Sequence, residues 1–270
     1  MRAAAALSVL VYHFSIQFIA AGGSENHWFY YLFNQIGYAG VDFFFVISGY
    51  IMWITTKTTR INHPVMKFCY KRATRIYLGY WPYFLLAVVI ISFFPNLISN
   101  KTNLTGSFFL TELETPKLLI QVAWTLQFEL YFYCLFAFLL LFSKNNALKI
   151  IWSLSALVVI FHFYSQQNNS DIHLISNNNL IHFLLSPFCL EFFAGCFLGH
   201  FFQTRRLIHL PVALLIGLAT LVFAIYYQEN VINTSLIGSN HTALRILIFG
   251  TSAVSLLAAM IELEMRGRVY

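Results

Sequence analysis

The sequence predicts an all-α fold, a bundle of helices that crosses a membrane many times. Three observations predict this class: 59% of the residues are hydrophobic, only 10% are charged, and apolar runs of membrane-spanning length recur along the chain. Soluble domains are about a quarter charged, and the mean hydropathy of this chain is +0.69. We therefore expect a polytopic integral-membrane protein that forms a single domain over residues 1–270.

Eight apolar runs approach the ~20 residues that a transmembrane helix requires. The predicted spans are residues 3–21, 36–55, 76–94, 119–142, 148–164, 180–202, 207–227 and 243–261. The first run begins beside a cation, as a secretory signal peptide does. It is nevertheless long enough to span, and further apolar segments follow it, so we treat it as the first membrane helix.

Basic side chains are distributed unevenly between these spans. Thirteen of the 16 Lys and Arg residues fall on one side, and the other three are Lys101, Lys117 and Arg245. Because loops rich in Lys and Arg stay in the cytoplasm, we expect both termini to be cytoplasmic. This bias accounts for the net charge of +6, so the sequence predicts contact with membrane lipid and no nucleic-acid partner.

The cysteines and the polar loops predict no site. The four cysteines have no C-x-x-C spacing, and three of them lie within apolar segments. They are expected to be small core residues, with neither a disulfide framework nor a metal site. The Asn-rich connections at residues 103–117 and 165–179 have no repeat, and we expect them to be simple solvated loops.

Ionisable side chains inside the predicted spans are the first functional signal. Arg2 precedes His13 by about 16 Å along a helix, so an Arg2 at one membrane face places His13 near the middle of the ~30 Å hydrocarbon layer. Asp42, Glu129 and Glu191 are each flanked by apolar residues. A charge at the bilayer centre costs ~2.5–3.5 kcal/mol, so we expect these groups to converge on one polar chamber. The alternative is that they hydrogen-bond helices together.

A basic segment precedes the third span. Lys67, Lys71, Arg72 and Arg75 stand just before an aromatic stretch that enters the membrane. A topology signal explains the charge alone. However, residues at i and i+3 project from one face of a helix, so Arg72 and Arg75 also suit the phosphates of a nucleotide-bearing donor.

Four segments together, in this order and spacing, resemble the integral-membrane acyltransferases of family 3, the O-acetylases of bacterial surface polysaccharides. The segments are Arg2 with His13, GVDFFFVISGY (40–50), YKRATRIYLGYW (70–81) and WTLQFELYFY (124–133). The resemblance implies a bundle of about ten helices in the bacterial inner membrane, of which about eight are present here. Relatives continue past this point, so we expect two further spans to follow Tyr270.

The resemblance also implies roles for single residues. His13 corresponds to the catalytic histidine, Arg2 to its partner cation, and Glu129 to the acid of a Trp-x-x-x-x-Glu pattern. A neutral imidazole, with a pKa near ~6.5, can take the proton of a sugar hydroxyl or can itself carry the acetyl group. Both routes are open, and either Asp42 or Glu129 is expected to orient the ring.

Donor and acceptor follow from the same resemblance. Acetyl-CoA is expected as the acyl-donor substrate, with no bound cofactor, and a surface glycan or lipid-linked saccharide as the acceptor. The candidates for binding the acyl donor are Lys71, Arg72 and Arg75, and those for binding substrate in the other motif segments are Trp124, Tyr131 and Ser48.

Two other functions also fit a membrane chain with buried ionisable groups. A proton-coupled transporter places His and carboxylates at mid-membrane as well, but the two halves of this sequence show no internal repeat. An inactive acyltransferase remnant with a scaffolding role is the other alternative. Binding of an acyl-CoA separates the enzyme from the transporter, and turnover separates the enzyme from the remnant.

Overall fold

A computed structural model describes residues 2–24, 37–55, 64–167, 179–204, 208–227 and 242–267. All regular structure within these residues is helical, which confirms the predicted all-α class. Short 3-10 helices lie at Pro95–Leu97, Thr115–Lys117 and Gln121–Ala123. The α-helices are α1 (Arg2–Ala20), α2 (Ala39–Thr55), α3 (Pro64–Phe93), α4 (Leu104–Phe109), α5 (Trp124–Leu139), α6 (Lys144–Gln167), α7 (Asn179–Leu184), α8 (Phe188–Gln203), α9 (Leu210–Tyr227) and α10 (Thr242–Met265).

Most of these helices are long and apolar enough to cross a membrane. In the described part of the chain, seven segments reach this length: Ala3–Ala20, Val65–Phe93, Gln121–Leu139, Lys144–Ser165, Leu180–Gln203, Leu210–Tyr227 and Ile246–Met265. The remaining predicted span corresponds to α2, an apolar helix of 17 residues. The chain is therefore a multi-pass membrane protein, and each predicted span contains a helix.

The third predicted span is part of a longer helix. α3 begins at Pro64 instead of residue 76 and has 30 residues, which at 1.5 Å per residue makes it about 45 Å long. Proline favours the first helical position because it needs no N–H partner there. The basic residues that made this segment too polar for hydrocarbon are still good helix formers, so the helix continues through them.

The predicted span at residues 180–202 is two helices in the structure. α7 ends at Leu184, and α8 begins at Phe188. Pro187 between them has no backbone N–H, and a residue that precedes proline disfavours the helical conformation. The interruption therefore coincides with Ser186 and Pro187.

The chain divides into two compact units. The first unit contains Met1–Lys57, Ser155–Gln166 and Pro187–Tyr270, and the second contains Thr58–Leu154 and Gln167–Ser186. Among the predicted site residues, the first unit holds Arg2, His13, Asp42 and Ser48. The second holds Lys71, Arg72, Arg75, Trp124, Glu129 and Tyr131.

Backbone contact between α2 and α8 forms the centre of the first unit. A Cβ atom added at Gly49 would overlap the carbonyl oxygen of Phe192, and one added at Gly195 would overlap the carbonyl oxygen of Val46. Glycine at both positions therefore lets the two helix backbones touch. Around this contact lies a core of buried side chains from α2, α8 and α10, which includes Val46, Leu198 and Leu257.

Helix α1 packs on α2 through small residues. A Cβ added at Gly40 would overlap the carbonyl oxygen of Ala5, and the Ser8 hydroxyl donates to the carbonyl oxygen of Gly37 at 2.9 Å. The Tyr12 ring meets the edge of Tyr38, with ring centroids 5.8 Å apart. One face of α1 is thus fixed against the segment that leads into α2.

In the second unit, the connection between α3 and α5 is ordered and hydrogen-bonded to both helices. The Asn103 side chain caps α4 by accepting from the Gly106 N–H at 2.9 Å. Polar groups of α3 donate to three successive carbonyls at the end of α4: Tyr80 Oη to Ser107 O at 2.9 Å, Trp81 Nε1 to Phe108 O at 3.3 Å and Tyr77 Oη to Phe109 O at 3.0 Å. The simple solvated loop predicted for residues 103–117 is wrong, because these bonds give it a defined conformation. Residues 168–178 of the other Asn-rich connection lie outside the described residues.

Candidate active site

Two candidate residues from separate sequence motifs come together in the second unit. On α3, Phe68 and Arg72 are four residues apart and share one face; on α5, Glu129 and Tyr133 do the same. The Arg72 guanidinium carbon lies 5.4 Å from the centroid of the Phe68 ring and 5.3 Å from that of the Tyr133 ring. The Tyr133 hydroxyl in turn donates to Glu129 Oε1. Arg72 is therefore linked to Glu129 through the Tyr133 ring.

This arrangement holds the cation without using its hydrogen-bond donors. An aromatic ring attracts a guanidinium through its face, so these two ring contacts do not use the five N–H donors of Arg72. Arg72 is half-buried, and among the residues that the structure describes it forms no salt bridge. A fixed guanidinium with unused donors can bind a phosphate or carboxylate in bidentate fashion.

The other two candidates for binding the acyl donor have exposed side chains. Lys71 and Arg75 flank Arg72 on α3, and both side chains are exposed. They add positive charge to the part of α3 that carries Arg72 and precedes the apolar stretch of this helix. The arrangement of one held cation and two exposed ones suits an anionic group that approaches from solvent.

The substrate-binding candidates on α5 have defined contacts within the second unit. The Tyr131 hydroxyl donates to the carbonyl oxygen of Leu184 at 3.0 Å, and the Trp124 ring meets the edge of Phe128 with centroids 5.9 Å apart. Trp124 and Tyr131 remain half-buried, so part of each ring is uncovered. Contact of either ring with substrate stays a prediction.

Gln127 is a structural residue that we did not single out from the sequence. It stands between Trp124 and Glu129 in the sequence of the same motif, and its side chain is buried. Its amide donates to the carbonyl oxygens of Leu110 and Glu112. Leu110 has a left-handed backbone, with φ of 56°, which an L-residue adopts at a cost. The Gln127 amide helps to hold that turn. An amide inside an apolar helix was the available signal, because such a group requires partners.

In the first unit, His13 lies on α1 as predicted. α1 includes both Arg2 and His13, so the helical separation assumed from the sequence is correct. The His13 side chain is exposed, whereas Ser15 is buried. The ring beside His13 is that of Tyr12, with centroids 5.2 Å apart. The Arg2 side chain lies outside the described part of the structure.

Asp42 and Ser48 are buried on α2. Asp42 is in the first turn of that helix, where the positive end of the helix dipole stabilises a carboxylate. Ser48 precedes Gly49, at the tight contact with α8, and is 1% exposed. Either side chain can therefore act only on a group that enters this unit.

Two further acids are buried in the first unit. Glu191 on α8 is 2% exposed, and Gly250 on α10 leaves room for it. Glu262 on α10 is fully buried; it accepts from Arg266 Nε at 2.8 Å and from the Ile208 N–H at 3.5 Å. We missed Glu262 because the apolar run was taken to end at residue 261, one position earlier.

The predicted chamber of four ionisable groups is thus divided between the units. The structure links Arg72 to Glu129 in the second unit, and it places His13, Asp42 and Glu191 in the first. A single chamber that contains all of them stays a prediction. Within the described residues, no three His, Cys, Asp or Glu side chains lie close enough together to hold a metal ion.

Comparison with known proteins gives two matches. Residues 1–268 match a family model described as an acyltransferase domain, family 3. A curated relative, the exopolysaccharide production protein ExoZ of Rhizobium meliloti (strain 1021), is 32% identical over 186 residues, which is 66% of this chain and 55% of that protein. The chain thus spans about half the length of this relative. No solved structure matches.

Proposed function

This chain belongs to acyltransferase family 3, and we propose that it transfers an acetyl group from cytoplasmic acetyl-CoA to a hydroxyl of a glycan outside the membrane. The carrying observation is the half-buried Arg72, whose guanidinium lies against the Phe68 and Tyr133 rings through contacts that do not use its N–H donors. Such a cation suits the phosphates of CoA. The relative named for exopolysaccharide production supports a surface glycan as the acceptor class.

His13 is the proposed catalytic residue. In the direct route, the acceptor hydroxyl oxygen forms a bond to the acetyl carbon, and the thioester C–S bond breaks. The imidazole takes the hydroxyl proton and returns it to the CoA thiolate. In the covalent route, the imidazole nitrogen first bonds to the acetyl carbon, and the C–S bond breaks to release the CoA thiolate. The acceptor hydroxyl then displaces the imidazole, which takes the hydroxyl proton and passes it to the thiolate. Arg2 is proposed as the partner cation, and Asp42 as a group that orients the ring.

Family membership favours an acyltransferase over a proton-coupled transporter. An inactive remnant remains the competing proposal, because membership does not establish turnover. In a bacterium that carries this gene, deletion is expected to remove acetyl groups from one surface glycan. Mass analysis of the isolated glycans checks this, with the gene restored on a plasmid as the control. Unchanged acetylation of every surface glycan after deletion would favour the remnant.

The proposed orientation places both termini and the donor-binding cations in the cytoplasm of a bacterial inner-membrane protein. It predicts that a single cysteine at Lys67 is labelled only from the cytoplasm and one at Lys101 only from outside. Both native side chains are exposed, so labelling reports sidedness. Cys69 and Cys134 are exposed as well and must first be replaced. A membrane-impermeant maleimide on intact cells makes the measurement, and labelling of Lys67→Cys there would reverse the topology and remove the basis for a cytoplasmic donor site.

A further inference from the structure

The Tyr133 hydroxyl donates to Glu129, and the Tyr133 ring contacts Arg72, the proposed ligand of the acyl donor. Tyr133 and Glu129 are both buried, at 4% and 6% exposure, and each lies one helical turn from the other on α5. The Tyr133 ring faces the part of α3 that carries Arg72. Neither motif alone predicts the contact between Tyr133 and Arg72, because it joins side chains of different helices.

The Tyr133 ring can fix the Arg72 guanidinium only if the ring itself is fixed. The Phe68 ring meets Tyr133 nearly at right angles, 85° between planes and 6.3 Å between centroids. The hydroxyl end is held by Glu129 Oε1. The ring is therefore held at its side and at its tip, and its orientation sets where the guanidinium lies.

We propose that Glu129 is a positioning residue for the acyl donor, which acts through the Tyr133 hydroxyl to hold Arg72 in place. The inference rests on the proposed function and deepens it. It differs from the expectation that Glu129 orients the imidazole of His13. On this proposal Glu129 is needed as a hydrogen-bond acceptor and not as a charge, because its task is to accept from the tyrosine O–H.

Glutamine therefore separates the two roles. Glu129→Gln keeps an oxygen that can accept the hydrogen bond at the same position and removes the charge. We therefore expect the Kd for acetyl-CoA to stay within about twofold of the wild-type value, and turnover at saturating acetyl-CoA to be kept. Glu129→Met removes the oxygen that accepts the hydrogen bond, and Tyr133→Phe removes the hydroxyl that donates it while keeping the ring. Each is expected to raise the Kd by about three- to tenfold with little change in kcat.

A double-variant cycle tests whether the two residues act as one. Tyr133→Phe combined with Glu129→Met is expected to raise the Kd no more than the larger single effect, because both changes break the same hydrogen bond. Tyr80→Phe is the matched control. Tyr80 is also 4% exposed, and its replacement removes one hydrogen bond, to Ser107 O. We expect the affinity of Tyr80→Phe for acetyl-CoA to be unchanged.

Binding of acetyl-CoA to the detergent-purified protein and its turnover are the two measurements. Wild-type protein that does not bind acetyl-CoA would overturn the proposed function and this inference together. Normal wild-type binding with an unchanged Kd in both Tyr133→Phe and Glu129→Met would overturn the inference alone. Loss of turnover in Glu129→Gln with normal affinity for acetyl-CoA would make Glu129 a catalytic group. A loss of acetyl-CoA affinity in Tyr80→Phe as large as that in Tyr133→Phe would show only general destabilisation. If Glu129→Met does not fold, Tyr133→Phe, which keeps the buried ring, still decides the question.

Discussion

Replacement of His13 by alanine is expected to lower acetyl transfer by about 100- to 10,000-fold, the usual contribution of a general acid or base. The protein is expected to insert in the membrane in normal amounts, because alanine removes a polar group from an apolar helix. The exposed position of the ring means that its removal leaves no cavity in the described core. The measurement is acetyl transfer to the acceptor by membranes with matched amounts of each protein.

His162 provides the control for this experiment. It lies on α6 in an apolar segment of the first unit, where its ring contacts Phe161. His162→Ala therefore removes an imidazole from a membrane helix without touching the proposed chemistry, and we expect transfer to continue. Near-normal turnover of His13→Ala at normal expression would mean that this imidazole is no part of the reaction, and the mechanism would have to be abandoned.

Alanine at Gly49 is expected to have the largest effect on stability. The added Cβ would overlap the carbonyl oxygen of Phe192, and a backbone atom cannot rotate away as a side chain can. Separation of α2 from α8 would also loosen the core around Val46. Overpacking of this kind costs about 1–3 kcal/mol and sometimes more. We expect a clear fall in the melting temperature and in the yield of monodisperse protein.

Gly79 on α3 is the matched glycine. A Cβ added there meets nothing within 4 Å, so Gly79→Ala adds the same methyl group to an open helix face. Alanine is the better helix former by about 1 kcal/mol, and the variant is expected to be at least as stable as the wild type. Thermal unfolding in detergent compares the two. Equal stability of Gly49→Ala and Gly79→Ala would show that α2 and α8 are not in backbone contact.

The membrane spans could be predicted from the sequence because the length of an apolar run is a direct property of the chain. The first and last residues of the helices were harder to predict from the sequence. α3 starts at Pro64 because a helix does not have to end where the hydrocarbon ends. The interruption before Phe188 depends on Pro187, a residue that we had placed inside a single span. Hydrophobicity predicts burial in the membrane and does not by itself predict where a backbone conformation changes.

The candidate site was predictable to the extent that it depends on one helix at a time. Glu129 and Tyr133 stand one turn apart in WTLQFELYFY, so their hydrogen bond could have been expected. The contact of Tyr133 with Arg72 could not, since it depends on how α3 packs on α5. The same limit applies to Gln127, whose partners, Leu110 and Glu112, belong to a connection that we took to be solvated.

The glycine contact also limits how the first unit can move. Transporters expose a site alternately to each membrane face by rocking or sliding helices against one another, and sliding requires side chains that can repack. Where Gly49 and Gly195 bring carbonyl oxygens against the facing helix, a shift along the axis drives backbone into backbone. We therefore expect α2 and α8 to move as one body, with little change in the separation of the buried Asp42 and Glu191 that they carry. An opening that admits a substrate to this unit is expected elsewhere than between these two helices.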